Sequence, residues 1–169
     1  MTNGDRPQVR LARPSGAGPS PGDVPAGRPA GLGRLEVLVG EWDTEALFPL
    51  DPPVTLLGRT TFAWLEGGFF LIQRWTIGHP DAPDGVAVIG AATGETFSQR
   101  YFDSRGVHRT YDMSLDDGVW RLWRDSPGFA QRFTGRLSED SGTFEGAWEK
   151  SQDGSHWEHD FDLTYRRIG

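Results

Sequence analysis

The chain contains no cysteine, only one lysine, and no long apolar run. Without cysteine it can form neither disulfides nor thiolate metal sites, and it has no cysteine nucleophile. No stretch approaches the roughly 18 apolar residues of a membrane span, and the N-terminus lacks the apolar segment of a secretory signal. We therefore expect a cytoplasmic protein that does not insert into a membrane.

Positive charge is also scarce, because the net charge of the chain is −7. Residues 1–30 contain four Arg and two Asp, a charge of +2, which leaves −9 on residues 31–169. An acidic surface of this kind repels the phosphates of nucleic acids and the head groups of anionic lipids. We therefore expect no nucleic-acid partner and no membrane partner.

Helical patterning is almost absent. Residues 1–30 are rich in Pro, Gly and Ala and poor in aromatic and β-branched residues, and this composition predicts a disordered tail.

The remaining residues, 31–169, have a length typical of a single domain. At its start, Leu35, Leu38 and Val39 have helical spacing and Gly40 ends the pattern, which predicts one short helix over 31–39.

Aromatic residues and turn signals are abundant, with 7 Trp, 10 Phe and 3 Tyr. Pairs such as Asp117-Gly118 and Asp153-Gly154 separate segments in which apolar and polar residues alternate. The predicted strands lie near 41–48, 57–65, 69–77, 85–91, 96–103, 106–115, 118–124, 129–137, 143–150 and 155–167. Such a meander closes to remove its edges. The predicted fold is all-β: a closed up-and-down antiparallel β-barrel of about ten strands with one short N-terminal helix, of the lipocalin-like kind.

Period-two alternation also predicts which side chains face the interior. The inward side chains that could orient a ligand are Arg109, Tyr111, His159, Gln131, Gln73, Trp148 and Trp64. A buried guanidinium must be paired or must meet a ligand, so Arg109 is the candidate anchor for a carboxylate or phenolate. In the last strand the alternation places His156, Glu158, Asp160 and Asp162 on the solvent face, opposite to His159. This arrangement predicts charges that aid solubility rather than a metal site.

Several segments carry a family resemblance. Gly40-Glu41-Trp42 matches the Gly-x-Trp that opens the first strand of lipocalins. Together with Trp-Leu-Glu-Gly-Gly-Phe at 64–69, Tyr-Phe-Asp-Ser-Arg-Gly at 101–106 and Tyr-Arg-Arg at 165–167, it resembles a bacterial family of lipocalin-like, calycin-type domains of unknown function. The resemblance covers about residues 32–167 and implies a fold more than a chemistry.

A more distant likeness is to nitrobindin-like barrels, which bind haem through a histidine late in the chain. His159 occupies a comparable place in the predicted last strand. Nitrobindin-like proteins continue the Gly-x-Trp with Gly-x-Gly, whereas this chain has Asp43, Thr44, Glu45 and Ala46. The resemblance implies haem as an alternative ligand, with His159 as its axial residue.

No motif specifies a reaction, since the nucleophile elbow, the zinc-protease helix, the phosphate loop and the dinucleotide fingerprint are all missing. The first hypothesis is therefore a protein without a cofactor, monomeric or homodimeric, whose barrel encloses a small hydrophobic or aromatic ligand. A haem protein is the alternative. A cofactor-free enzyme that uses the same cavity is the third, and the balance leans away from an enzyme.

Overall fold

The computed structural model describes residues 27–168, so the predicted tail lies almost wholly outside the described residues. A 3₁₀ helix spans Ala30–Leu38. Ten strands follow it: β1 (Gly40–Phe48), β2 (Val54–Trp64), β3 (Phe70–Ile77), β4 (Gly85–Ala91), β5 (Phe97–Asp103), β6 (His108–Asp116), β7 (Val119–Arg124), β8 (Ala130–Leu137), β9 (Thr143–Ser151) and β10 (Glu158–Arg167).

The strands form a closed barrel in which each strand pairs antiparallel with its neighbours in sequence and β1 also pairs with β10. The fold class predicted from the alternation is confirmed. Closure satisfies the backbone groups that an open sheet would leave at its edges. The largest differences in boundaries are of three residues: β2 begins at Val54 instead of residue 57, and β10 begins at Glu158 instead of residue 155.

The predicted glycine turns produce this meander. Between β6 and β7, Asp116 pairs with Val119, so the connection has two residues. Those residues, Asp117 and Gly118, have φ values of 50° and 72°. A two-residue turn with positive φ at both positions has a backbone twist that matches the twist of the two strands it joins. Asp-Gly is one of the residue pairs preferred in such turns.

The N-terminal helix closes one end of the barrel. Its spacing of three residues places Leu32, Leu35 and Leu38 on one stripe, because a 3₁₀ helix has three residues per turn. All three leucines are fully buried. They join a core that includes Trp42, Phe62 and residues from most of the other strands. Among residues 27–168, no helix is long and apolar enough to cross a membrane.

Candidate functional site

A cavity of about 460 Å³ occupies the half of the barrel opposite the N-terminal helix. Its rim is formed where strands meet their loops at that end, and it includes Phe48, Pro83, Arg105, Phe129 and Asp160. The helix and the core that it covers seal the other end. The barrel is therefore a cup with one open mouth.

Aromatic rings form much of the wall. Trp75 stacks on Tyr101 with ring centroids 5.1 Å apart, and Phe48 stacks on Phe161 at 4.7 Å. The indole N–H of Trp75 donates to the carbonyl of Pro83 at 2.9 Å, which fixes the ring below the mouth. Fixed, flat and apolar faces of this kind suit a planar ligand.

The predicted polar residues Arg109, Tyr111 and Gln131 do meet in the cavity. Gln131 Oε1 accepts from Arg109 Nη1 at 2.8 Å and from the Tyr111 hydroxyl at 2.7 Å. The guanidinium also lies 5.1 Å from the ring of Phe129. Within residues 27–168 no carboxylate forms an ion pair with Arg109. Most of its five N–H groups are thus available to a ligand.

A second polar group lies at the rim. The hydroxyl of Tyr101 donates to Asp103 Oδ2 at 2.8 Å, and Arg105 Nη2 donates to the same oxygen at 2.7 Å. Burial acts to raise the pKa of Asp103, but the hydrogen bonds from Arg105, Tyr101 and two backbone amides outweigh it and hold that pKa well below its usual range. Arg105 is therefore neutralised by Asp103, whereas Arg109 is not neutralised by a described carboxylate.

The floor of the cavity contains polar atoms without partners. Gln73 Oε1, Gln99 Oε1 and Trp120 Nε1 are buried and accept or donate no hydrogen bond among the described residues. All three side chains line the cavity. An unpaired buried polar atom is unfavourable, so these atoms, which belong to side chains that border the cavity, are candidates for hydrogen bonds to a bound molecule.

Five of the seven predicted site residues line the cavity, namely Arg109, Tyr111, Gln131, Gln73 and Trp148. What each of them binds stays a prediction. The sequence-based selection left out several residues of the wall and the floor. Alternation alone could have found Tyr101, because it shares the inward face of β5 with Phe97 and Gln99.

Trp64 does not line the cavity, contrary to the prediction. β2 runs from the mouth towards the closed end, so its last residue lies beside the N-terminal helix. There the indole N–H of Trp64 donates to Glu36 Oε1 at 2.9 Å, and Arg28 covers the ring at 4.2 Å. Trp64 fastens the helix to the barrel.

His159 is also outside the cavity, again contrary to the prediction. The pairing of β10 with β9 shifts between His159 and Phe161, so a β-bulge interrupts the alternation at Asp160. The bulge turns the imidazole outwards, where its Nε2 lies 3.4 Å from Asp162 Oδ1. It also brings Asp160 to the cavity rim, where Lys150 Nζ binds the carboxylate at 2.9 Å. The placement of Asp160 on the solvent face was therefore wrong as well.

The cavity does not fit a haem held by histidine. The chain has four histidines, His79, His108, His156 and His159, and none of them lines the cavity. Within residues 27–168 no group of three or more His, Asp or Glu side chains could hold a metal ion. The lining consists of aromatic rings, aliphatic side chains, threonines and amides, and its charged residues are Arg105, Arg109, Asp81 and Asp160.

All three tyrosines of the chain have raised pKa values. Burial is the main cause for Tyr101, Tyr111 and Tyr165; a hydrogen bond to Asp103 adds to it at Tyr101, and the Gln73 amide offsets part of it at Tyr165. In the unfolded chain each phenol loses its proton near pH 10.0, whereas the folded protein retains it. The folded state then binds more protons, so the free energy of unfolding falls as the pH rises above 10.

We accordingly expect the phenolate absorbance of the native protein to stay low near pH 10 and to appear only together with loss of the near-ultraviolet circular dichroism. The denatured chain, titrated in parallel, provides the normal curve. Phenolate that forms near pH 10 with native circular dichroism would contradict the buried placement of these residues.

Comparison with known proteins agrees with this architecture. The crystal structure of Rv2717c from M. tuberculosis superimposes with a TM-score of 0.64 and 13% sequence identity, covering 84% of this chain and 99% of that chain. The likeness is one of fold. It is consistent with a lipocalin-like or calycin-like barrel. No protein-family model matches the chain, and no curated protein matches it.

Proposed function

We propose that the protein binds a small hydrophobic or aromatic molecule in the barrel cavity. The observation that carries this proposal is the combination of an open cavity of about 460 Å³ with stacked aromatic walls and a few buried polar groups. Ligand pockets typically have volumes of about 300–1,000 Å³, with mostly apolar walls and a few polar groups that orient the ligand.

Arg109 supports a preference for ligands with an acidic group. Its guanidinium lies against the rings of Phe129 and Tyr101 at 5.1 and 6.0 Å, and no described carboxylate neutralises it. A partly desolvated cation gains most from an anionic partner, and a guanidinium binds carboxylates and sulfonates through two N–H groups at once. The guanidinium donates to Gln131 Oε1, and the Tyr111 hydroxyl donates to the same oxygen and so fixes that partner at the wall below the mouth.

Binding is favoured over acid–base catalysis by the protonation states of the two cavity phenols, Tyr101 and Tyr111, and of Asp103 beside them. The pKa values of Tyr101 and Tyr111 are raised, so both phenols stay protonated, while the pKa of Asp103 is lowered and its carboxylate is occupied by Arg105 and Tyr101. A general acid or base works best with a pKa near the working pH. Neither these phenols nor this carboxylate meets that condition.

The fluorescent probe anilinonaphthalene sulfonate, which is aromatic and anionic, tests the proposal. We expect saturable binding of one probe per chain, with enhanced probe fluorescence and quenched Trp emission. Ala46 is buried on the cavity wall, so Ala46→Phe places a ring inside the ligand space. The ring competes with the probe for this space, and we expect it to reduce the binding free energy by at least about 1.4 kcal/mol. This corresponds to probe binding that is about tenfold weaker.

Ala63→Phe is the matched control, because Ala63 is exposed on the outer face of β2. It should bind the probe like the unsubstituted protein. Non-saturable binding, or equal affinity in both variants, would place the probe on the outer surface and contradict the proposal.

A further inference from the structure

The floor of the cavity differs chemically from its mouth. Gln73, Gln99 and Trp120 have relative exposures of 6%, 5% and 1%, and each has one buried polar atom without a partner among the described residues. Two of these atoms are amide oxygens, which accept hydrogen bonds, and the third is an indole N–H, which donates. The floor therefore offers both kinds of hydrogen bond to whatever reaches it.

The strand register places these residues together and away from charge. Gln73 in β3 and Gln99 in β5 flank β4, where they pair with Ala87 and Ile89. Both of these β4 residues are fully buried and apolar. The ring of Trp120 lies 5.6 Å from that of Tyr165, the phenol that borders Gln73.

Arg109 lies nearer the mouth than this floor. Gln99 pairs with Tyr111, two residues further along β6 than Arg109 and towards the closed end. Two residues of a strand span about 7 Å. An acidic group bound to Arg109 therefore stays above the floor, and the part of the ligand that reaches the floor meets neutral partners.

These features restrict the class of ligand. These three atoms have almost no accessible surface in this structure, so a ligand pairs with them when its entry turns their side chains towards the cavity. Each hydrogen bond to an otherwise unpaired buried atom then adds affinity. A purely apolar end would leave two acceptors and one donor unpaired, and a charged end would lack a counterion. A neutral group that contains both N–H and C=O satisfies both kinds of atom.

We propose that the cavity selects planar ligands with a neutral amide or lactam edge, which enters first and hydrogen-bonds to the floor. The ligand N–H donates to Gln73 or Gln99, and the ligand carbonyl accepts from Trp120. This inference rests on the proposed function, since it assumes that small aromatic molecules enter the cavity.

Three bicyclic probes of similar shape test it: naphthalene, which has no polar group; N-methylcarbostyril, which has only the carbonyl; and carbostyril, which has a lactam N–H and C=O. Their affinities are measured by displacement of anilinonaphthalene sulfonate and by calorimetry. Two new hydrogen bonds to otherwise unpaired atoms should make carbostyril bind about tenfold more tightly than naphthalene. N-methylcarbostyril should lie between the two.

The variants Gln73→Met and Gln99→Met remove the amide oxygens while retaining side-chain length. In each, the preference for carbostyril over naphthalene should fall severalfold, and naphthalene should bind at least as well as before. Gln152→Met is the matched control, because Gln152 is exposed in the β9–β10 loop. It should leave the preference unchanged.

The outcomes separate the two proposals. Equal affinity for the three probes, or a preference that persists in both cavity variants, overturns the lactam inference while binding of anilinonaphthalene sulfonate still supports the proposed function. If neither that probe nor any bicyclic probe binds, the proposed function fails and the inference fails with it. The comparison of carbostyril with its N-methyl derivative requires no variant, so it decides the matter even where a substitution impairs folding.

Discussion

Replacing Arg109 with Leu should weaken the binding of anilinonaphthalene sulfonate by roughly ten- to a hundredfold. Hydrogen bonds to charged groups contribute about 1.5–3 kcal/mol, and every 1.4 kcal/mol is a factor of ten in affinity. Gln131 would retain its bond from Tyr111, at 2.7 Å in the present structure, so the wall should survive the substitution. Fluorescence titration with the probe measures the change.

Arg100→Leu provides the control for this prediction. Arg100 precedes Tyr101 in β5 but is exposed on the outer face. The Arg100→Leu substitution should leave the affinity for anilinonaphthalene sulfonate almost unchanged. Naphthalene, which lacks a charge, should bind with similar affinity to the unsubstituted protein and to the Arg109→Leu variant. If Arg109→Leu weakens both probes equally, the guanidinium shapes the wall and does not recognise the anion.

The largest effect on stability is expected at Trp42. This residue is 1% exposed, its indole N–H donates to the Leu38 carbonyl at 2.8 Å, and its ring packs against Phe144. On the other side Arg167 covers the ring at 4.1 Å and donates to the carbonyls of Val37 and Val39. Trp42 thus joins the barrel to the helix that closes it.

Trp42→Ala should lower the free energy of unfolding by about 3–5 kcal/mol, because it leaves a large cavity in the core. Trp157→Ala is the matched control: Trp157 is only half-buried and stacks against Arg132, a contact of about 0.5–1 kcal/mol at an exposed site. Urea unfolding of both variants checks the difference. Similar losses in the two would show that the closed end does not depend on Trp42.

The two ends of the barrel explain how one small domain is stable and hollow at the same time. At the closed end, large rings and the helix leucines fill the interior. Towards the mouth, inward positions include small residues, such as Gly58 and Ala46, beside rings that stack against each other along the wall. The substitutions at Trp42 and Arg109 therefore probe different halves, and we expect each to leave the property measured for the other largely intact.

The sequence by itself determined the fold and part of the site. Glycine turn pairs and period-two alternation require hairpins with one apolar face, and ten strands joined in this way close into a barrel. The same alternation placed Arg109, Tyr111 and Gln131 inside, because β6 and β8 keep regular pairing through these positions.

Only the tertiary structure decided how far each inward residue lies from the mouth of the barrel, and where the alternation is interrupted. Trp64 lies at the closed end because of the direction of β2 relative to the helix, and no local pattern shows which end the helix covers. His159 turns outwards and Asp160 inwards because β10 takes up an extra residue against β9 at that point. A bulge depends on the pairing of two strands, and a short sequence window contains only one of them.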